Sequence, residues 1–153
     1  QGKIIAADVE GPRSDRLIQN LERLGIGNTK IIRCDLRDDE NRLKDEKLLF
    51  DKILLDVPCT NSGVFRRRPD AKWRLLTHST ADMTKLQLQL VNSILPLLKK
   101  GGHLVYSTCS IDAEENTGVI STLLETHNYL KKLDEVQLLP SENNDGAYAA
   151  LVG

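Results

Sequence analysis

Three apolar runs in the first 56 residues each stop at an aspartate: KIIAA before Asp8, KIIRC before Asp35 and DKILL before Asp56. Short apolar runs bounded by polar residues predict buried strands. Between the first two runs, Leu17, Ile18, Leu21 and Leu24 recur at helical spacing, and Gly25 follows as the stop. Strands alternating with helices imply an α/β sheet with parallel connections. In such open sheets ligands bind at the carboxyl ends of the strands. A carboxylate placed there is a bidentate acceptor matched to a ribose diol. One aspartate at a strand end is no more than a good loop starter; three in register point to a ligand.

The rest of the chain continues the alternation. Residues 36–49 are highly charged and read as loop or short helix, and Pro58 to Thr80 as one long loop. Met83, Leu86, Leu90, Val91, Ile94 and Leu98 mark an amphipathic helix that Gly101–Gly102 is expected to stop. HLVYS (His103–Ser107) is the next strand. Asp112 with Glu115 reads as a variant capping box opening a helix whose apolar face is Val119, Ile120, Leu123 and Leu124. Strand-like pieces near Tyr129–Leu139 and Ala147–Val152 close what reads as one domain over residues 1–153. The only methionine is Met83, so a longer parent protein is expected.

Charge and cysteines narrow the function. The formal net charge is −1, yet residues 56–100 carry eight basic side chains against three acidic ones. Such an island attracts a polyanion or is simply a solvated loop. No apolar run approaches the roughly 20 residues that span a bilayer, so no membrane partner is expected. Cys34, Cys59 and Cys109 are widely spaced, without a CxxC pair. That argues against a disulfide framework or metal site and fits a reduced, cytoplasmic protein. Cys34 has no motif and reads as core.

Two motifs carry the chemistry: DVPCTNSGVFRRRPDAKWR, which begins at Asp56, and YSTCSIDAEEN, which holds Cys109. Together they resemble the Sun/Fmu family of S-adenosylmethionine-dependent RNA (cytosine-5) methyltransferases. ADVEGPRSDRLIQNLERLG resembles that family's ribose-binding strand and following helix, and NNDGAYAALVG its terminal strand. The resemblance implies a Rossmann-like class I methyltransferase fold with a mostly parallel sheet. It also implies that residues 1–153 are a partial catalytic domain lacking the first strand and its Gly-rich loop. Missing that central strand, the sheet would expose two edges open to association. The chain alone is expected to bind cofactor poorly and to be inactive.

The family's chemistry needs a thiol and a carboxylate on one face. C5 of cytosine is too weak a nucleophile to take a methyl from a sulfonium, so a thiolate adds to C6 and activates it. A base then removes the C5 proton so that the thiol can leave. The resemblance implies that Cys109 attacks, that Cys59 assists breakdown of the adduct, and that Asp56 contacts the cytosine near the cofactor's methyl end. It further implies Asp8 on the ribose and Asp35 on the adenine of S-adenosylmethionine, although the family usually shows Gly-Asp where this chain has Cys34–Asp35. Arg66, Arg67, Arg68, Lys72, Trp73 and Arg74 interleave cations with an aromatic ring, which suits RNA phosphates and stacked bases. The alternative for Trp73 is that it packs the loop onto the core. Ribosomal RNA is the implied substrate. Two other readings stay open: a DNA or other nucleic-acid methyltransferase attacking through Cys59, as DNA enzymes use a Pro-Cys nucleophile, and a non-catalytic RNA-binding or ribosome-assembly factor on the same fold.

Overall fold

The computed structural model describes residues 2–37, 43, 48–74 and 79–153. Most of the charged stretch 36–49 therefore lies outside the described residues. The chain divides into two compact units, Gln1–Leu48 and Leu49–Gly153.

In the first unit, strand β1 (Ile4–Asp8) and strand β2 (Thr29–Arg33) pair in parallel through helix α1 (Pro12–Arg23). Pro12 opens α1, where a missing N–H costs nothing. Gly25 ends it at φ 65°, and the N–H of Ile26 reaches back to Leu21 O at 2.9 Å. The expected glycine stop is thus a left-handed C-terminal cap. Leu17, Ile18 and Leu21 are half-buried, but Leu24 is 58% exposed. Cys34, read as core, is only half-buried.

The second unit carries a four-stranded sheet of order β3-β4-β6-β5: β3 (Phe50–Asp56), β4 (Leu98–Thr108), β5 (Lys132–Leu138) and β6 (Ala147–Val152). β3 and β4 are parallel, whereas β6 runs antiparallel to both its neighbours. The expected α/β class holds, and among the described residues the parallel pairs are β1–β2 and β3–β4. One face of the sheet buries Leu55, Leu104, Tyr106, Tyr148, Ala150 and Val152. Leu90, Val91 and Ile94 of α3 (Thr80–Ile94) and Val119, Ile120 and Leu123 of α4 (Thr117–Thr126) are buried with them.

Three local readings are corrected. The amphipathic helix does not run to the glycine pair. It ends at Ile94, and Leu95–Leu97 form a 3₁₀ turn containing Pro96, which lacks the N–H to continue the ladder. Gly101 (φ 75°) and Gly102 instead lie where the β3–β4 register shifts, inside β4. A side chain on Gly102 would meet Lys99 O at 2.9 Å and Asp51 O at 3.0 Å. Second, the loop after Pro58 contains a 3₁₀ turn at Ser62–Val64 and a short helix α2 (Ala71–Arg74). Third, Asp112 and Glu115 do not cap a helix. α4 starts after Asn116, with no side-chain cap, and both carboxylates are used elsewhere.

Candidate active site

The two cysteine motifs leave adjacent parallel strands. Asp56 at the end of β3 is in register with Ser107 of β4, and Ser107 Oγ donates to Asp56 Oδ1 at 3.2 Å. The pairing runs on one step, Val57 N to Ser107 O at 3.1 Å, before the chains part. Parallel strands send both exits to the same end of the sheet. Cys59 and Cys109, fifty residues apart, consequently meet there with their sulfurs 3.2 Å apart, both as free thiols.

Close backbone approach locks the two exits together. Gly63 N donates to Cys109 O at 3.0 Å, and Gly146 N donates to Gly63 O at 2.8 Å. A Cβ on Gly63 would sit 2.7 Å from Cys109 O and 2.8 Å from Gly146 Cα. Only a residue without a side chain fits that contact.

Beneath the thiols lies a buried polar cluster. Glu115, fully buried, accepts from Thr60 N (3.0 Å), Ser110 Oγ (2.8 Å) and Gln87 Nε2 (2.7 Å). Gln87 also donates to Pro58 O at 3.0 Å, and Thr60 Oγ1 to Asp112 Oδ2 at 3.1 Å. Tyr106 donates its hydroxyl to Glu115 O at 2.7 Å. One carboxylate thereby ties the residue after Cys59 to the residue after Cys109. A buried carboxylate so fully partnered favours a single arrangement, and among the described residues Gln87 Oε1 is the buried side-chain atom of the cluster without a hydrogen-bond partner. Sequence reading missed this role of Glu115 and Gln87. It could have flagged Gln87, which shares its helical face with Leu90, Val91 and Ile94.

The contact between the two sulfurs sets the thiols apart electrostatically. The hydrogen bond with Cys59 holds the Cys109 pKa below the ordinary thiol value, against burial and the neighbouring Asp56. The same hydrogen bond, then burial, pushes the Cys59 thiol far up.

Comparison with known proteins decides the family. The model of the 16S rRNA methyltransferase RsmB/F family matches residues 1–152. The chain belongs to this family. Ribosomal RNA small subunit methyltransferase B of Yersinia enterocolitica is 37% identical over 158 residues, covering 96% of this chain and 35% of that protein. Its counterpart in Photorhabdus laumondii is 37% identical over 145 residues, covering 95% of this chain and 32% of that protein. The chain thus spans about a third of the length of the curated relatives it matches. Among solved structures, NSun6 from Pyrococcus horikoshii with SFG is 30% identical at a TM-score of 0.84, covering 99% of this chain and 41% of that one. A methyltransferase homolog protein from the same organism is also 30% identical, at a TM-score of 0.77, covering 99% and 53%. The resemblance read from the two cysteine motifs is borne out, and so is the Rossmann-like methyltransferase fold.

The remaining sequence candidates of this RsmB/F-family chain divide between the units. In the first, Asp8 ends β1 and accepts from Val9 N at 2.9 Å, with Arg13 3.7 Å away. A carboxylate has about four lone-pair sites, so Asp8 keeps acceptors for a diol and fits a ribose. Asp35 is committed further: Arg37 Nε donates to both of its oxygens at 2.9 and 3.0 Å. The guanidinium holds the Asp35 carboxyl down at about 2. An adenine amine would have to share that carboxylate with Arg37.

In the second unit the cationic loop splits. Arg66 donates to Ser141 O and Glu142 O, both at 3.0 Å, and Arg67 pairs with Asp145 at 2.8 Å. These two fasten the loop to the segment before β6. Arg68 is exposed, and Lys72 lies 5.7 Å over the Phe65 ring. Trp73 is 72% exposed, so it does not pack the loop onto the core. The side chain of Arg74 lies outside the described part. No helix is long and apolar enough to cross a membrane among the described residues.

Proposed function

We propose that the protein carrying this chain methylates C5 of cytosine in 16S ribosomal RNA, in the cytoplasm, and that this chain supplies both catalytic cysteines. The observation that carries the reading is the 3.2 Å separation of Cys59 Sγ and Cys109 Sγ. A reaction that adds a thiol to C6 and later expels it needs a nucleophile and a second proton-handling group within reach of one base.

Cys109 loses its proton as its sulfur bonds to C6, and the C5=C6 electron pair makes C5 nucleophilic. S-adenosylmethionine, when bound, supplies the electrophilic methyl. Loss of the C5 proton to a base restores the double bond and expels the Cys109 thiolate, with Cys59 assisting this breakdown. Asp56 contacts the cytosine. In the first unit Asp8 holds the cofactor's ribose and Asp35, shared with Arg37, its adenine. A target base inside folded RNA is flipped out to reach the thiol. Arg68, Lys72 and Trp73, with Arg66, Arg67 and Arg74 of the same loop, contact RNA phosphates and bases.

Trapping on 16S RNA that contains 5-azacytidine tests the assignment. Cys109→Ala is expected to abolish the covalent adduct, and Cys59→Ala to let it accumulate. The reverse pattern would make Cys59 the nucleophile. No adduct and no methylation across 16S RNA would favour a binding or assembly role.

A further inference from the structure

Asn61 touches both catalytic cysteines, and the reaction outlined above leaves it without a part. Its Nδ2 donates to Cys59 O at 2.9 Å, and its Oδ1 lies 3.0 Å from Cys109 Sγ. Among the described residues it is also the one non-glycine with a positive φ, at 62°. A side chain at such a φ costs energy that a glycine would not, so the carboxamide occupies this place against the local backbone preference.

The hydrogen bonds fix the direction of the amide. A backbone carbonyl only accepts, so the Asn61 nitrogen must face Cys59 O, leaving its oxygen toward the sulfur of Cys109. An oxygen and a sulfur at 3.0 Å require a proton between them, and only the thiol has one to give. The single proton of Cys109 is then committed to Asn61. Of the two thiols 3.2 Å apart, Cys59 must therefore be the donor to the other. The order is Cys59 S–H to Cys109 S–H to Asn61 Oδ1.

We infer that Asn61 is a positioning residue for the nucleophile, aiming the Cys109 sulfur and holding its proton until the substrate takes its place. The inference rests on Cys109 being the attacking thiol. Asn61 and Cys59 act on Cys109 in opposite senses: the Asn61 oxygen favours the thiol, and the S–H of Cys59 favours the thiolate. The other charged groups facing Cys109 are Asp56 at the end of β3 and Glu115 ahead of α4, and both disfavour the thiolate. Removing the Asn61 oxygen leaves the Cys59 donor in place and releases the proton more readily. A carboxylate at the same position holds it harder.

The test is the pH profile of iodoacetamide alkylation of Cys109, followed by peptide mass spectrometry in the parent, Asn61→Gly and Asn61→Asp. Asn61→Gly should shift the Cys109 profile to lower pH and raise its rate at pH 7 about threefold to tenfold. Its melting temperature should be at or above the parent's, because glycine relieves the backbone. Asn61→Asp, close in shape, should shift the profile to higher pH and slow the reaction. A parent-like profile in either folded variant overturns the inference. Mapping the 5-azacytidine RNA adduct in the same proteins separates the two levels. An adduct on Cys59 would overturn the assignment of the nucleophile, whatever the alkylation profile shows.

Discussion

Replacing Glu115 probes how the two cysteine loops are held, and the structure separates two substitutions. In Glu115→Ala, the Thr60 N–H and one N–H of Gln87 lose their acceptor inside the protein. The Ser110 and Thr60 hydroxyls can turn to Asp112 Oδ2, 3.3 and 3.1 Å away. Two orphaned donors at about 1–3 kcal/mol each give a loss of about 4 kcal/mol. In a chain of 153 residues that is a melting temperature lower by about 8–16 °C. Glu115→Gln behaves differently. Its amide oxygen can still accept from Thr60 N and Gln87 Nε2, and its amide nitrogen can donate to the Ser110 or Thr60 hydroxyl, which then points to Asp112. Weaker neutral bonds are offset by a charge no longer buried, so stability should stay within about 1 kcal/mol of the parent. Calorimetry or urea unfolding of both variants reads the difference. If the glutamine variant falls as far as the alanine variant, acceptor geometry is not what Glu115 supplies and the reasoning fails.

Other consequences concern the same exits. Gly63→Ala should destabilise by about 1–3 kcal/mol through overpacking against the Cys109 carbonyl and Gly146, and it should also weaken RNA adduct formation. Gly101→Ala, at φ 75° with open space around it, should cost about 1 kcal/mol and leave adduct formation intact; urea melts and trapping distinguish the pair. Diamide should join Cys59 and Cys109, two thiols giving one disulfide as two electrons and two protons pass to the reagent. Non-reducing peptide mapping should find that pair, and a Cys34 partner instead would contradict the 3.2 Å contact. The Asp35 carboxyl, held at about 2 by Arg37, titrates below its unfolded value. Its contribution to stability is therefore present above about pH 4 and is lost as pH falls toward 2. Arg37→Ala should return the Asp35 titration, followed by NMR, to the ordinary carboxylate range.

Much of the fold was readable because its signals are local. Apolar runs stopped by Asp8 and Asp56 mark the ends of β1 and β3 directly, Asp35 follows the end of β2 by two residues, and Gly25 ends α1 as its spacing implied. Gly101–Gly102 misled because a glycine pair after a helical face looks the same whether it caps a helix or bulges a strand. Pro96, which truncates the helix, was the better punctuation. The two thiols were legible as motifs, and the roles proposed for them come only through resemblance. What joins them was not. Glu115 finds Thr60 fifty-five residues away, whereas its near neighbour Asp112 offered a plausible local cap. Asn61 reads as an ordinary turn residue: its bond to Cys59 O is local, and its contact with Cys109 arises only when β3 and β4 pair side by side. Arg66 and Arg67 looked equal to Arg68 in the cationic run, yet the segment 141–145 that engages them is remote in sequence.

The central claim is that Cys109 attacks while Cys59 attends. The most direct measurement is peptide mapping of the adduct formed by the full-length protein carrying this chain on 5-azacytidine-containing 16S RNA with S-adenosylmethionine. The account predicts the nucleotide on the peptide that contains Cys109, with Cys59 unmodified. The nucleotide on Cys59 would contradict it.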